Sequence, residues 1–295
     1  MLVVGEALID IVDGPGGTTE HVGGSPANVA VGVARQGHPT TLLTRIGRDD
    51  RGERIAEHLA ASGVVLDDAS WTDAATSTAR ATLQADGSAA YDFDISWSLA
   101  EPDLSGVDLL HTGSVALFLE PGADTVLAAL ETARHAGALV TLDPNIRPAL
   151  VGDPGVARAR WDRAVRTADL VKLSDEDAGW LYPGLGPEEA LAEIATHGPR
   201  VVVMTRGAEG ALGLAADGIQ SVPPMPVTVV DTIGAGDAFM ASLVSSLLDD
   251  PALLDGGAPL RTALRRAAVM GGITVSRAGA QPPTRAEVDR VADYA

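Results

Sequence analysis

Short apolar runs alternate with longer helical patterns along most of this chain, and that alternation restricts its fold more than any other feature. Leu2–Val4, Thr40–Ile46, Asp108–His111, Leu139–Asp143, Asp169–Leu173 and Val201–Thr205 read as strands. Helical segments lie between and after them. Ser25 to Gln36 carries the small apolar residues Ala27, Val29, Ala30, Val33 and Ala34 and stops at Gly37, and Arg51–Ser62 stops at Gly63. Two helices, near Ala235–Leu248 and Leu260–Ser276, close the chain. The pattern predicts an α/β fold with a mainly parallel sheet and helices on both faces.

One region breaks the alternation. Thr78–Ala85, Asp86-Gly87 and Ser88–Asp94 read as two strands around a tight turn, because Asp-Gly accepts the positive φ values such a turn needs. With the strand-like Ile9–Asp13 beside a loop at Gly14–Thr18, they predict a small β lid from about 9–22 and 70–98. No linker or repeat divides the sequence, so 1–295 is expected to be one domain with this lid.

Charge and composition narrow the chemistry. Lys+Arg of 21 against Asp+Glu of 40 leaves −19, which argues against nucleic acid, since polyanion affinity comes mainly from basic side chains neutralising phosphates. One small phosphate ligand remains compatible, because a few backbone N–H groups can hold it. The absence of cysteine excludes disulfides, thiolate catalysis and cysteine-ligated metals. Lys172 is the only lysine and follows Val171, so the phosphate loop G-x-x-x-x-G-K-[ST] cannot occur. H-E-x-x-H, G-x-S-x-G and G-x-G-x-x-G are absent too. Glu6 and Asp10 interrupt an apolar start that has no basic flank, and no apolar run approaches ~18 residues. The expectation is a cytoplasmic protein without membrane contact.

Two glycine-rich turns carry the chemical signal. In Asp231-Thr-Ile-Gly234-Ala235-Gly236-Asp237, a bend enters a helix directly, so unpaired N–H groups and the helix dipole converge on one spot suited to an anion. A carboxylate at Asp237, in the first turn, could take a proton from an attacking hydroxyl, or could simply cap the helix. About two hundred positions earlier, Gly23-Gly24-Ser-Pro-Ala-Asn28 is another glycine turn entering a helix. Asn28 can donate to and accept from a hydroxyl, or cap locally.

Together these two stretches resemble the signatures of the PfkB-type, ribokinase-like carbohydrate kinases. The resemblance extends from Val4 to the Gly279-Ala-Gln-Pro-Pro-Thr284 tail. It implies a three-layer ribokinase-like fold with a small β lid, and transfer of the γ-phosphoryl of ATP, with Mg²⁺, to a sugar hydroxymethyl group. It makes Asp237 the catalytic base and the amides of Gly234, Ala235 and Gly236 the anion hole. Asp10, Gly23, Gly24 and Asn28 become sugar contacts. Arg147, in Asp143-Pro-Asn145-Ile-Arg147, lies just past a predicted strand and could pair with phosphoryl or carboxylate oxygens.

Lys172-Leu-Ser174-Asp-Glu-Asp177 is similar to the family's N-x-x-E segment, with Ser174 and Asp177 replacing Asn and Glu. The match implies nucleotide contact at Lys172 and Ser174 and Mg²⁺ held through water by Asp177. The same residues also suit a helix cap with acids in the first turn. Thr205-Arg-Gly207-Ala-Glu-Gly210 is similar to the nucleotide loop. Asp231, with Ser276–Gln281, matches a monovalent-cation site, K⁺ being the candidate. The resemblance is compatible with a homodimer. Trp71 and Trp97 flank the predicted lid, whereas no role is assigned to the six histidines.

Gly5-Glu-Ala-Leu-Ile-Asp10, Gly23-Gly-Ser-Pro-Ala-Asn28 and Asp143-Pro-Asn-Ile-Arg-Pro148 look most like bacterial fructokinases, with ribokinase, 2-keto-3-deoxygluconate kinase and nucleoside kinase as alternatives. From other classes, a noncatalytic sugar- or nucleotide-binding regulator is disfavoured by the retained Asp237. The missing G-x-G-x-x-G disfavours a dinucleotide-dependent oxidoreductase.

Overall fold

A computed structural model of the protein describes residues 1–14, 17–83 and 89–292. Among these, nine strands form one sheet. From one edge the order is Gly218–Val222, Ala211–Ala215, Val201–Thr205, Leu170–Ser174, Leu139–Asp143, Leu109–Gly113, Leu2–Val4, Thr40–Leu43 and Val64–Leu66. Seven strands run parallel, and the Ala211–Ala215 and Gly218–Val222 hairpin adds an antiparallel edge beside Val201–Thr205. The sequence pattern had not indicated that hairpin.

The parallel strands are apolar on both faces because helices cover both. Val171, Leu173, Val202 and Met204 join a core containing Leu130, Trp161 and Ile194. Their neighbours Leu170, Val201 and Val203 join a separate core with Val29, Leu243 and Leu264. Small residues bring helix Ser25–Arg35 against helix Ala235–Asp249 so closely that a Cβ on Gly32 would lie 2.5 Å from the Ala241 methyl. This packing sets the two glycine turns side by side. Trp97 is 2% exposed and belongs to the first core, and Trp71 lies beneath the Arg48 guanidinium, 5.7 Å from its ring centre.

Strand order reverses beside Leu2–Val4. Later strands extend one way through Leu109–Gly113 and the other way through Thr40–Leu43. The crevice at the carboxyl ends of the strands flanking such a switch point is where open α/β sheets bind ligands.

A second sheet carries Gly17–Gly23, Leu8–Gly14, Thr78–Leu83 and Ala89–Asp94, in that order. Gly17 and Thr18 belong to a strand rather than the expected loop, paired antiparallel with Leu8–Gly14. The Asp86-Gly87 turn lies outside the described residues. Glu20 ties this sheet to helix Asp50–Ala61, accepting from Arg51 Nη2 at 2.5 Å and Arg54 Nη1 at 2.6 Å.

Candidate functional site

Asp237 opens helix Ala235–Asp249 and is 9% exposed. Both carboxylate oxygens are held from the facing helix start: Ser25 Oγ donates to Oδ1 at 2.7 Å and Asn28 Nδ2 to Oδ2 at 2.8 Å. The two glycine turns thus meet at one carboxylate. Sequence reading found Asp237 and Asn28 but passed over Ser25. Gly234 holds φ +75°, a left-handed conformation that a side chain would strain, so the chain can turn directly into the helix. Among the described residues, the N–H groups of Gly236 and Asp237 find no protein acceptor.

Asp10 lies on the second sheet. A Cβ on Gly23 would stand 1.9 Å from Asp10 Oδ2, so only glycine lets this carboxylate lean over the turn. Burial raises the Asp10 pKa, Arg147 and His21 pull it down, and Asp237 pushes it up. These charges place Asp10, Arg147 and Asp237 in one field. Gly24 keeps φ +106° against the Glu6 carbonyl.

Glu6 is an unexpected member of this cluster. It follows strand Leu2–Val4 at the switch point and is 4% exposed, with Oε2 buried and without a hydrogen-bond partner among the described residues. Burial raises its pKa to about 7, opposed by the Ser114 hydroxyl and Arg147 and assisted by Asp237. Ser114 and Asn145 hold φ +53° and +35°, and both follow strands at this same edge, where strained backbone marks functional sites.

A pKa raised from 4.5 to about 7 means that Glu6 favours the folded state fully below pH 4.5. That contribution is lost as pH rises through about 7. Glu6→Gln is therefore expected to gain stability relative to wild type on going from pH 5 to pH 8. Thermal melts across that range check this, and a difference independent of pH would contradict it.

Lys172 and Asp143 form a buried ion pair, with Nζ donating to Oδ2 at 2.8 Å. Burial pushes Asp143 up to about 6 although Lys172 pulls down. Lys172 stays above its ordinary value because Asp143, Asp177 and Asp237 outweigh the downward effect of burial. A Cβ on Gly236 would stand 3.0 Å from Lys172 Nζ, so the ammonium lies directly against the glycine turn.

Ser174 and Thr205 are register partners at the ends of adjacent strands, which joins the Lys172 segment to the Thr205–Gly210 turn. Gly207 and Gly210 both hold positive φ there. Asp177 closes a capping box with Ser174 and also accepts from Ile146 N at 2.7 Å, clamping the Asn145–Arg147 loop. Asp231 accepts from Ile233 N and Gly279 N, tying the turn to the tail segment.

These residues fit a phosphate chain, with the free N–H groups of Gly236 and Asp237 and the Lys172 ammonium at one glycine turn. For a divalent cation the fit is indirect. Among the described residues no group of three acidic or histidine side chains could hold a metal ion, and Asp177 already accepts from backbone N–H groups. Asp143 Oδ1 is buried and lacks a hydrogen-bond partner among the described residues.

The chain is similar to known proteins over most of its length. The family model described as pfkB family carbohydrate kinase matches residues 1–287. A fructokinase of Rhizobium leguminosarum bv. trifolii is 37% identical over 294 residues, covering 90% of this chain and 89% of its own. The structure of a Xylella fastidiosa fructokinase with bound ATP superposes with TM-score 0.87 at 27% identity, covering 100% of this chain and 98% of its own. A Vibrio cholerae fructokinase structure in fructose, ADP and calcium ion bound form gives 0.85 at 29% identity, covering 98% of each chain. The fold and its relatives define an ATP-dependent sugar kinase of the fructokinase type, working with a divalent metal. The chain belongs to the pfkB family of carbohydrate kinases. No helix among the described residues is long and apolar enough to cross a membrane.

Proposed function

We propose that the protein transfers the γ-phosphoryl of ATP to a hydroxymethyl group of fructose, with Asp237 as the general base. The observation that carries this reading is the Asp237 carboxylate itself. Ser25 and Asn28 fix it at a helix start, beside free N–H groups, in the electrostatic field of Asp10. The fructokinase relatives and the fructose-bound neighbour support the choice of sugar.

In this reading the sugar lies on Asp10, whose two oxygens accept from adjacent hydroxyls, with Gly23, Gly24, Asn28 and Arg147 around it. Asp237 takes the hydroxyl proton as the new O–P bond forms. The bond from the γ-phosphorus to the bridging oxygen breaks, and ADP leaves with that electron pair. The N–H groups of Gly234 and Gly236, joined by that of Ala235 once it releases the Thr232 carbonyl to which it donates at 3.3 Å, receive the charge that builds on the transferring oxygens. Lys172, Ser174, Thr205, Gly207 and Gly210 hold the nucleotide.

Mg²⁺ is the divalent ion we assign, neutralising charge on the phosphates. Asp177 would accept from its waters with the lone pairs left beside the backbone bonds. K⁺ is assigned to the carbonyls near Asp231 and 276–281. The second sheet acts as a lid that shields the phosphoryl group from water.

Asp10→Ala tests this assignment. It is expected to raise the fructose KM at least ~10-fold, the loss of one or two hydroxyl contacts to a charged acceptor, while the ATP KM changes less than about twofold. Steady-state kinetics with each substrate varied in turn provide the readout. Equal loss of both affinities would point to a folding defect and remove Asp10 from the sugar site.

A further inference from the structure

His21 is the residue to which neither the motifs nor the family resemblance gives a role. It stands directly opposite Asp10 in the antiparallel pairing of Leu8–Gly14 with Gly17–Gly23. Directly opposed residues project from the same face of a sheet. Asp10 projects toward Arg147 and Asp237, so His21 projects into the same cleft, and it is solvent-exposed there.

The row continues across the sheet, since Asp10 pairs with Ala79 and Ala79 with Phe93. The cleft face of the lid therefore presents imidazole, carboxylate, methyl and phenyl groups in line. The lid's arginine on the central strand, Arg80, alternates to the opposite face and is paired with Asp13. His21 is the only residue of that row that can carry a positive charge or donate from a ring N–H. Its charge bears on Asp10 and also on Asp231 in the turn before Asp237.

We infer that His21 is a further sugar-site residue that determines specificity, its ring N–H donating to a sugar oxygen next to those gripped by Asp10. A carboxylate can only accept, so Asp10 alone cannot recognise an oxygen that offers lone pairs. His21 adds a donor on the lid to those that Asn28 and Arg147 offer from below, and it shares the row of Asp10, so closure brings both groups down together. This inference rests on the proposed sugar site beneath the lid.

The test compares wild type, His21→Ala and His21→Gln, using D-fructose and its mono-deoxy analogues with ATP and Mg²⁺. His21→Ala is expected to raise the fructose KM about 10-fold, the size of one good hydrogen bond, with the ATP KM changed less than twofold. One deoxy analogue, already poor with wild type, should suffer no further loss. His21→Gln keeps an N–H donor and should recover most of the fructose KM.

A penalty equal for every analogue, an unchanged fructose KM, or a shift confined to ATP would overturn the inference. A wild type that phosphorylated no sugar would instead overturn the reading beneath it, whereas an active enzyme indifferent to His21→Ala would overturn this inference alone.

Discussion

Asp237→Asn is expected to lower kcat by at least ~10²-fold while the KM values for sugar and ATP move only a few-fold. A sugar hydroxyl is a poor nucleophile, and a positioned base typically contributes ~10²–10⁴-fold. Asparagine keeps the size of the side chain and the helix start. Its amide cannot accept the proton, and its Nδ2 would face the donor Asn28 or Ser25. Residual kcat above about a tenth of wild type would remove Asp237 from the role of base. Gly236→Ala should behave differently. Its methyl group would crowd Lys172 Nζ, so kcat and ATP affinity should fall together.

The largest effect on stability is expected at Lys172. Lys172→Met would leave Asp143, 1% exposed, without its partner in the sheet edge. Breaking a buried pair in this way costs about 3–5 kcal/mol, which for a chain of this size is roughly 5–8 °C in Tm. Asp143 already sits at about 6 with Lys172 present, and would rise further without it. An acid with a raised folded pKa destabilises at higher pH, so the deficit of Lys172→Met should shrink as pH falls from the variant's higher Asp143 pKa towards 6. The double variant Asp143→Asn, Lys172→Met should recover much of the loss. Calorimetry at pH 5.5 and 8 would show both effects. A loss that is independent of pH and unrelieved in the double variant would refute the account of this pair.

Six of the seven parallel strands were legible in the sequence because burial on both faces leaves continuous apolar runs such as Val201–Met204, whereas the short, half-exposed edge strand Val64–Leu66 was not read. Strand Gly17–Gly23 was less legible. Thr18, Thr19, Glu20 and His21 are polar, and Glu20 is satisfied by Arg51 and Arg54, more than thirty positions away. The edge hairpin was missed for a related reason: Gly213 and Gly218 weaken its alternation. It is defined by pairing with Val201–Thr205 rather than by its own pattern.

The site divides in the same way. The glycine turns and Asp237 announce themselves as local motifs, as does the Ser174–Asp177 cap. Contacts between distant segments leave no local trace. Ser25 reaches Asp237 across 212 positions, and Asp177 reaches the Ile146 amide across 31. Glu6 reads as one acid interrupting an apolar run. Only the strand order shows that it ends at the switch point, buried beside Ser114.

Sugar-dependent ADP release by the wild-type protein tests the central claim most directly. With ATP and Mg²⁺, D-fructose, other hexoses, ribose, 2-keto-3-deoxygluconate and nucleosides would each be supplied at matched concentrations. The account predicts the highest kcat/KM for fructose, with release abolished in Asp237→Asn. Release that did not depend on sugar, or a wild type that released no ADP with any acceptor, would contradict it.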